Sequence, residues 1–312
     1  MTNQPFLQEV ENDSGLNNLK STQDWLKENK IFIELKLEEH GAIIFKDLPV
    51  KTAEDFDQFV STFNYETFTY EESLSNAVRI NKTDKVFTAN EAPREVEIFL
   101  HHEMAQTPTY PKNIFFFCKS ASETGGETPL CRSDQLYEAL LKADKALVES
   151  FEKFGVIYNS IMSSGDELIS GQGRSWQKTL GVSSKNDAEE KLSKLGYSWN
   201  WIEDDNLSVT TKTLQATKEL GNGQKSFFNQ VIAASLGWKK NSENQIAPVR
   251  FGNGEEIKES YIELINDLAQ SITLLRSWQD HDILLIDNYR VMHGRKPFAG
   301  NKNREVLVSL TN

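Results

Sequence analysis

Cysteine, net positive charge and long apolar runs are all scarce in this chain of 312 residues. Two cysteines, Cys118 and Cys131, cannot build a disulfide framework, so the fold must be held by its core, and nothing points to an oxidising compartment. No apolar run approaches the ~18 residues that a membrane-spanning helix needs. The opening stretch, MTNQPFLQEVENDSG, is polar and acidic where a secretory leader is charged and then apolar. The expectation is therefore a cytoplasmic protein with no membrane partner. Lys+Arg number 34 against Asp+Glu 46, a net charge of −12. That balance excludes a chain-wide basic surface for nucleic acid, although a local basic pocket is still compatible with it. Several signatures are missing too: there is no P-loop, no nucleophile elbow and no dinucleotide-binding glycine fingerprint. The zinc-protease pattern His-Glu-x-x-His fails because Gln106 stands where its second His belongs.

What is present is the balance of a globular chain, 38% hydrophobic and 26% charged, enough to bury a sizeable core. Short runs rich in β-branched and aromatic residues fall into two separated clusters. The early one holds Gly41–Lys46, Asn113–Lys119 and the stretch after Gly125-Gly126; the late one holds Ile283–Asp287 and Glu305–Leu310. Each is bounded by turn residues and reads as a strand. Between the clusters, Ser133–Phe154, Asp187–Leu195 and Glu259–Leu275 carry helical stripes, and Asn222-Gly223 and Asn253-Gly254 are hairpin-grade turns. Strand and helix do not alternate throughout, which argues against a parallel α/β sheet. The expected architecture is α+β: an antiparallel jelly-roll core whose late strands return beside the early ones. The region from about 133 to 275 would be a largely helical insertion or covering layer.

There are five histidines, two of them in Phe99-Leu-His-His-Glu-Met. On an extended segment residues two apart share a side, so His101 and Glu103 can aim at one point while His102 faces away. His293 follows the late strand Leu285-Ile-Asp-Asn-Tyr-Arg-Val-Met. Two imidazoles and one carboxylate on one face leave three metal positions open, the arrangement of non-haem Fe(II) oxygenases. Alone, a His-x-Glu triplet is common by chance.

Its surroundings add weight. Gly294-Arg295-Lys-Pro-Phe298 follows His293, Arg304 lies eleven residues past His293, and Thr128 lies 27 past His101 in Gly125-Gly-Glu-Thr-Pro. With Lys112-Asn-Ile-Phe-Phe-Phe-Cys, Gly173-Arg-Ser-Trp-Gln and Phe228-Asn229, in this order and spacing, the chain from about Arg79 onward resembles the TauD/TfdA superfamily of Fe(II)- and 2-oxoglutarate-dependent dioxygenases. Within it, the chain looks most like the SyrP-like branch, which hydroxylates amino-acid substrates.

The resemblance implies a double-stranded β-helix forming one dioxygenase domain over residues 1–312. It assigns His101, Glu103 and His293 to Fe(II), and Arg304 with Thr128 to the distal carboxylate of 2-oxoglutarate, with O₂ as the other co-substrate. A guanidinium fork and a neighbouring hydroxyl suit that carboxylate. The branch has Asn where His102 stands and an aromatic residue near Gln106, and the superfamily more often has Asp where Glu103 stands. A carboxylate at that position disfavours the related halogenases. Arg174 is the first candidate for a substrate carboxylate, beside Arg79 and Arg295; Asn229 and His102 are candidates at the pocket rim. The expected reaction is hydroxylation of a small amino-acid-like molecule, free or tethered to a carrier protein. The alternatives are oxidative cyclisation or desaturation of the kainoid type, or, from another class, a non-redox metal-binding jelly roll.

Overall fold

The late strands do return beside the early ones. In a six-stranded sheet, Ile283–Asp287 lies between Ala42–Phe45 and Asn113–Ser120, and Glu305–Thr311 flanks Asn113–Ser120 on its other side. Pairing is antiparallel except where Leu7–Val10 joins Ala42–Phe45. The computed structural model describes residues 6–69, 74–75, 77–166, 173–238 and 246–312. A second sheet of four antiparallel strands runs in the order Leu274–Arg276, Thr128–Arg132, Val291–Arg295, Ile98–His101.

The central strands Ala42–Phe45, Asn113–Ser120 and Ile283–Asp287 are mostly apolar because both faces are covered. On one face Ile43, Phe115, Phe117 and Leu285 pack against Ile33 and Phe56 of the helices Leu19–His40 and Ala53–Ser61. On the other, Ile44, Phe116, Leu284 and Val308 meet Leu130 and Val291 of the small sheet. The small sheet buries its outer side, Cys131, Met292 and Leu100, under Leu140, Phe151 and Ile265 of the covering helices. The result is a jelly-roll sandwich with helices outside each sheet.

The covering region departs from the largely helical expectation. It holds helices at Ser133–Ala143, Lys145–Phe154, Lys185–Leu195, Val231–Gly237 and Glu259–Ser271, but also a sheet of Val249–Phe251, Val156–Met162, Leu207–Thr210 and Ser198–Trp201. These strands are short, and Ser198–Trp201 alternates between half-buried and exposed positions, so no continuous apolar run announced them. The expected helix over 133–154 breaks at Asp144 (φ −153°), whose side chain accepts from Leu147 N at 2.9 Å and caps a new helix. The stripe over 259–275 stops at Ser271, and Leu274–Arg276 continues as an edge strand. At Asn222-Gly223 (φ 51° and 75°) the hairpin forms as its residues require. Among the described residues no helix is long and apolar enough to cross a membrane.

Candidate metal centre

Alternation along the strands decides which side chains enter the space between the sheets. Val291 packs inward and Met292 outward, so His293 points inward; Leu100 packs outward, so its neighbour His101 points inward. Leu130 inward and Cys131 outward put Thr128 on the same inner face. Val306 and Val308 face inward too, and Arg304 precedes them in phase, beside the register shift between Glu305 and Val306.

His101 and His293 are direct cross-strand partners, with ring centroids 4.4 Å apart. The strand ends at His101, so Glu103 does not arrive by the extended spacing the sequence suggested. A turn delivers it, with Met104 at φ 59° and Ala105 N donating to His102 O at 3.3 Å. Glu103 Oε2 then stands 3.5 Å from His293 Nε2 and 4.0 Å from His101 Nε2. The ligand atoms of the three residues all lie within 4.8 Å of one another, and no other such group occurs among the described residues.

The donor set fits a divalent iron. His101 Nδ1–H donates to Phe99 O at 2.8 Å, which fixes the tautomer and leaves the Nε2 lone pair turned to the cluster. Burial, helped by the neighbouring His293, lowers the His101 pKa to about 4, so the imidazole is neutral and able to ligate at neutral pH. Burial alone would raise the pKa of Glu103. The Arg79 guanidinium, with Nη2 2.9 Å from Oε1, and the two imidazoles outweigh it and hold the carboxyl well below the usual range. The chain thus presents two imidazole nitrogens and one anionic oxygen. When bound, Fe(II) with 2-oxoglutarate and O₂ supplies the oxidising power; the residues around it bind, orient and exclude water.

Arg304 has an orphaned charge suited to an anion. Its Nη2 donates to Gly126 O at 3.2 Å and its guanidinium lies 5.2 Å from the Phe298 ring. Among the described residues no carboxylate pairs with it: the adjacent Glu305 is drawn off by Lys82 and Lys119 at 3.2 and 3.0 Å. Burial lowers its pKa, yet an arginine stays charged. Gly126 (φ +74°) makes the cradle, since a Cβ there would stand 2.9 Å from Arg304 Nε. Thr128 Oγ1 accepts from Trp278 Nε1 at 2.9 Å, so its own proton remains to be donated.

The other candidates separate. Arg79 sits on Glu103, stacked 5.4 Å over Phe87. Arg295 is committed elsewhere: its two terminal nitrogens donate to the carbonyls of Asn90, Ala92, Pro93 and Val96 at 2.7–3.3 Å, pinning the segment before Ile98–His101. Asn229 is buried, donating to Ala216 O and accepting from Val231 N, both at 2.9 Å. His102 turns away from the cluster, as its phase predicted; its Nδ1–H donates to Asn288 O at 2.5 Å and its ring lies 4.5 Å from Phe228. Burial lowers its pKa to about 3. Arg174 Nη1 donates to Ser75 O at 3.4 Å, beside the segment that carries Arg79. Two participants escaped the sequence reading, Trp278 and Asn288. Asn288 did stand in the quoted Asp-Asn-Tyr-Arg motif.

Comparison with known proteins places the chain in a family. A family model described as "Taurine catabolism dioxygenase TauD, TfdA family" matches residues 7–310. A clavaminate synthase-like protein of Arabidopsis thaliana is 32% identical over 286 residues, which cover 91% of this chain and 86% of that one. The dapdiamide synthesis protein DdaC of Enterobacter agglomerans is 28% identical over 289 residues, 88% of this chain and 83% of its own. In fold, the chain matches a putative alpha-ketoglutarate dependent 2,4-D dioxygenase from Burkholderia xenovorans with TM-score 0.55 at 13% identity, over 100% of this chain and 96% of that one. PvcB from Pseudomonas aeruginosa matches with TM-score 0.54 at 12% identity, over 99% and 87% of the two chains. Such low identity speaks for the jelly-roll fold alone; the family model and the Arabidopsis relative speak for kinship. The chain belongs to the TauD/TfdA family of Fe(II)- and 2-oxoglutarate-dependent dioxygenases.

Proposed function

We propose that His101, Glu103 and His293 hold the Fe(II), that Arg304 and Thr128 grip the distal carboxylate of 2-oxoglutarate, and that the enzyme hydroxylates an unactivated C–H bond of a small amino-acid-like substrate. The convergence of three donors, delivered by two strands and a turn, carries the first part. The uncompensated Arg304 guanidinium beside the Thr128 inner face carries the second. The proximal keto-acid end would then face the metal cluster while the distal carboxylate meets a fixed bidentate fork.

The substrate class rests on other support. The similar protein DdaC is named for dapdiamide synthesis. Within this chain, Arg295 is spent on backbone carbonyls and Arg79 on Glu103. Arg174, whose Nη1 donates to Ser75 O at 3.4 Å, is our candidate for meeting a substrate carboxylate. Oxidation at a carbon near that carboxylate follows from the same anchoring.

Succinate formation with a panel of amino acids and their carboxamides tests the reading. The matching amino acid stimulates turnover and its carboxamide does not. Better stimulation by a purely apolar compound overturns the substrate class.

A further inference from the structure

We infer that Asn288 is a positioning residue that holds the metal-ligand turn at Glu103, an inference that rests on the assignment of His101, Glu103 and His293 as ligands. Asn288 is fully buried. Its Oδ1 accepts from the Glu103 N–H at 2.8 Å, and its Nδ2 donates to Glu103 O at 3.1 Å and to Pro111 O at 2.8 Å. One side-chain amide therefore takes both backbone polar groups of the ligand residue. Its own carbonyl accepts from His102 Nδ1, and its N–H donates to Lys112 O at 2.8 Å.

Chemistry restricts this role to an amide. Both donors and the acceptor of the side chain are engaged; a carboxylate could accept from Glu103 N but would face two carbonyls with nothing to donate. Location gives the contacts their meaning. Asn288 lies in the turn between Ile283–Asp287 and Val291–Arg295, five residues before His293, yet it grips a residue 185 positions earlier. It ties the turn carrying one ligand to the turn that feeds the strand carrying another. The tie is needed because the Glu103 turn is otherwise unfavourable: Met104 holds φ 59° without being glycine. Gln230 Nε2 holds His102 O at 2.9 Å, so the turn is held at the preceding residue as well as at Glu103. Released from Asn288, the turn can relax toward ordinary dihedrals, and the Glu103 carboxylate leaves the two imidazoles.

The experiment measures Mn(II) affinity of the purified full-length apo protein by the loss of the free-ion paramagnetic resonance signal. Asn288→Ala should weaken binding about tenfold to a hundredfold, the range typical of residues that orient a ligand. Asn159→Ala, which removes buried hydrogen bonds to Val209 O and Thr210 Oγ1 in the sheet of the covering region, should lose thermal stability with its Mn(II) affinity unchanged. Asn288→Asp, which keeps the acceptor for Glu103 N–H but turns a carboxylate oxygen on two carbonyls, should weaken binding at least as much as Asn288→Ala. Unchanged affinity in either folded Asn288 variant overturns the inference. Unchanged affinity in His101→Ala would instead overturn the ligand assignment. Hydrogen exchange on the unmodified apo protein decides the matter even if no Asn288 variant folds. The Glu103 amide should be protected before metal is added, and exchange as fast as that of an exposed loop overturns the claim.

Discussion

Arg79 and Glu103 form a buried ion pair, Nη2 to Oε1 at 2.9 Å, that leaves the other carboxylate oxygen facing His101 and His293. Each side chain is about nineteen-twentieths buried, at 6% and 5% exposure, so neither charge has water as an alternative partner. The sequence offered Arg79 as a candidate for a substrate carboxylate; the structure places it on the enzyme's own.

Removing the cation should therefore damage the protein and its metal binding together. Arg79→Ala strands a buried carboxylate, a change that costs about 3–5 kcal/mol when one partner of a buried pair is deleted. It also changes the pH response. In wild type Arg79 and the imidazoles keep Glu103 ionised well below the usual carboxylate range. Without Arg79, burial raises that pKa, and a protonated carboxyl is a poor ligand. Metal affinity of Arg79→Ala should fall as pH drops from neutral into the mildly acidic range, while wild type holds steady; a Mn(II) titration at several pH values checks this. Parallel pH profiles would contradict it.

Replacing Arg304 should act on the co-substrate and spare the metal. Arg304→Gln removes a charge that no carboxylate among the described residues neutralises, and a charged hydrogen bond is worth about 1.5–3 kcal/mol, or roughly ten- to a hundredfold in apparent 2-oxoglutarate affinity. Arg304→Lys should also be impaired, since an ammonium cannot reproduce the fork. Steady-state kinetics with varied 2-oxoglutarate, alongside Mn(II) binding, separates the two effects. An apparent affinity for 2-oxoglutarate that does not move rules the role out.

Arg295 makes the opposite prediction. Its guanidinium satisfies four carbonyls between Asn90 and Val96, so Arg295→Ala leaves buried acceptors unpaired at about 1–3 kcal/mol each before relaxation. Thermal denaturation should report a marked loss of stability. In whatever fraction stays folded, the KM for the organic substrate should be close to wild type. A selective rise in that KM with normal stability would return Arg295 to the substrate pocket.

Much of this was legible because strand alternation is a local rule. The runs at 42–45, 113–120, 283–287 and 305–311 announced the large sheet by being apolar on both faces. The inward phase of His101, Thr128 and His293 followed from which neighbours pack where. Legibility failed where tertiary context overrides local pattern. Helix Leu19–His40 exposes Ile31, Phe32 and Leu35, at 73%, 50% and 61%, which blurs the stripe that would have revealed it. Glu103 reaches the cluster through a turn held by long-range bonds to Asn288 and Gln230. Arg295 looked like an anion site beside its motif because nothing in the sequence shows that the carbonyls of residues 90–96 fold over it.

The most direct test of the central claim is anaerobic addition of Fe(II) and 2-oxoglutarate to the apo enzyme, following the visible metal-to-oxoacid charge-transfer band. Two imidazoles and one carboxylate leave room for the oxoacid to chelate, and the proposed role of Arg304 is to anchor its far end. Wild type should develop the band at stoichiometric iron. His293→Ala should fail to develop it, and Arg304→Gln should need far more 2-oxoglutarate to reach the same intensity. A band of full intensity in His293→Ala, or no band in iron-loaded wild type at saturating 2-oxoglutarate, would contradict the assignment of this site.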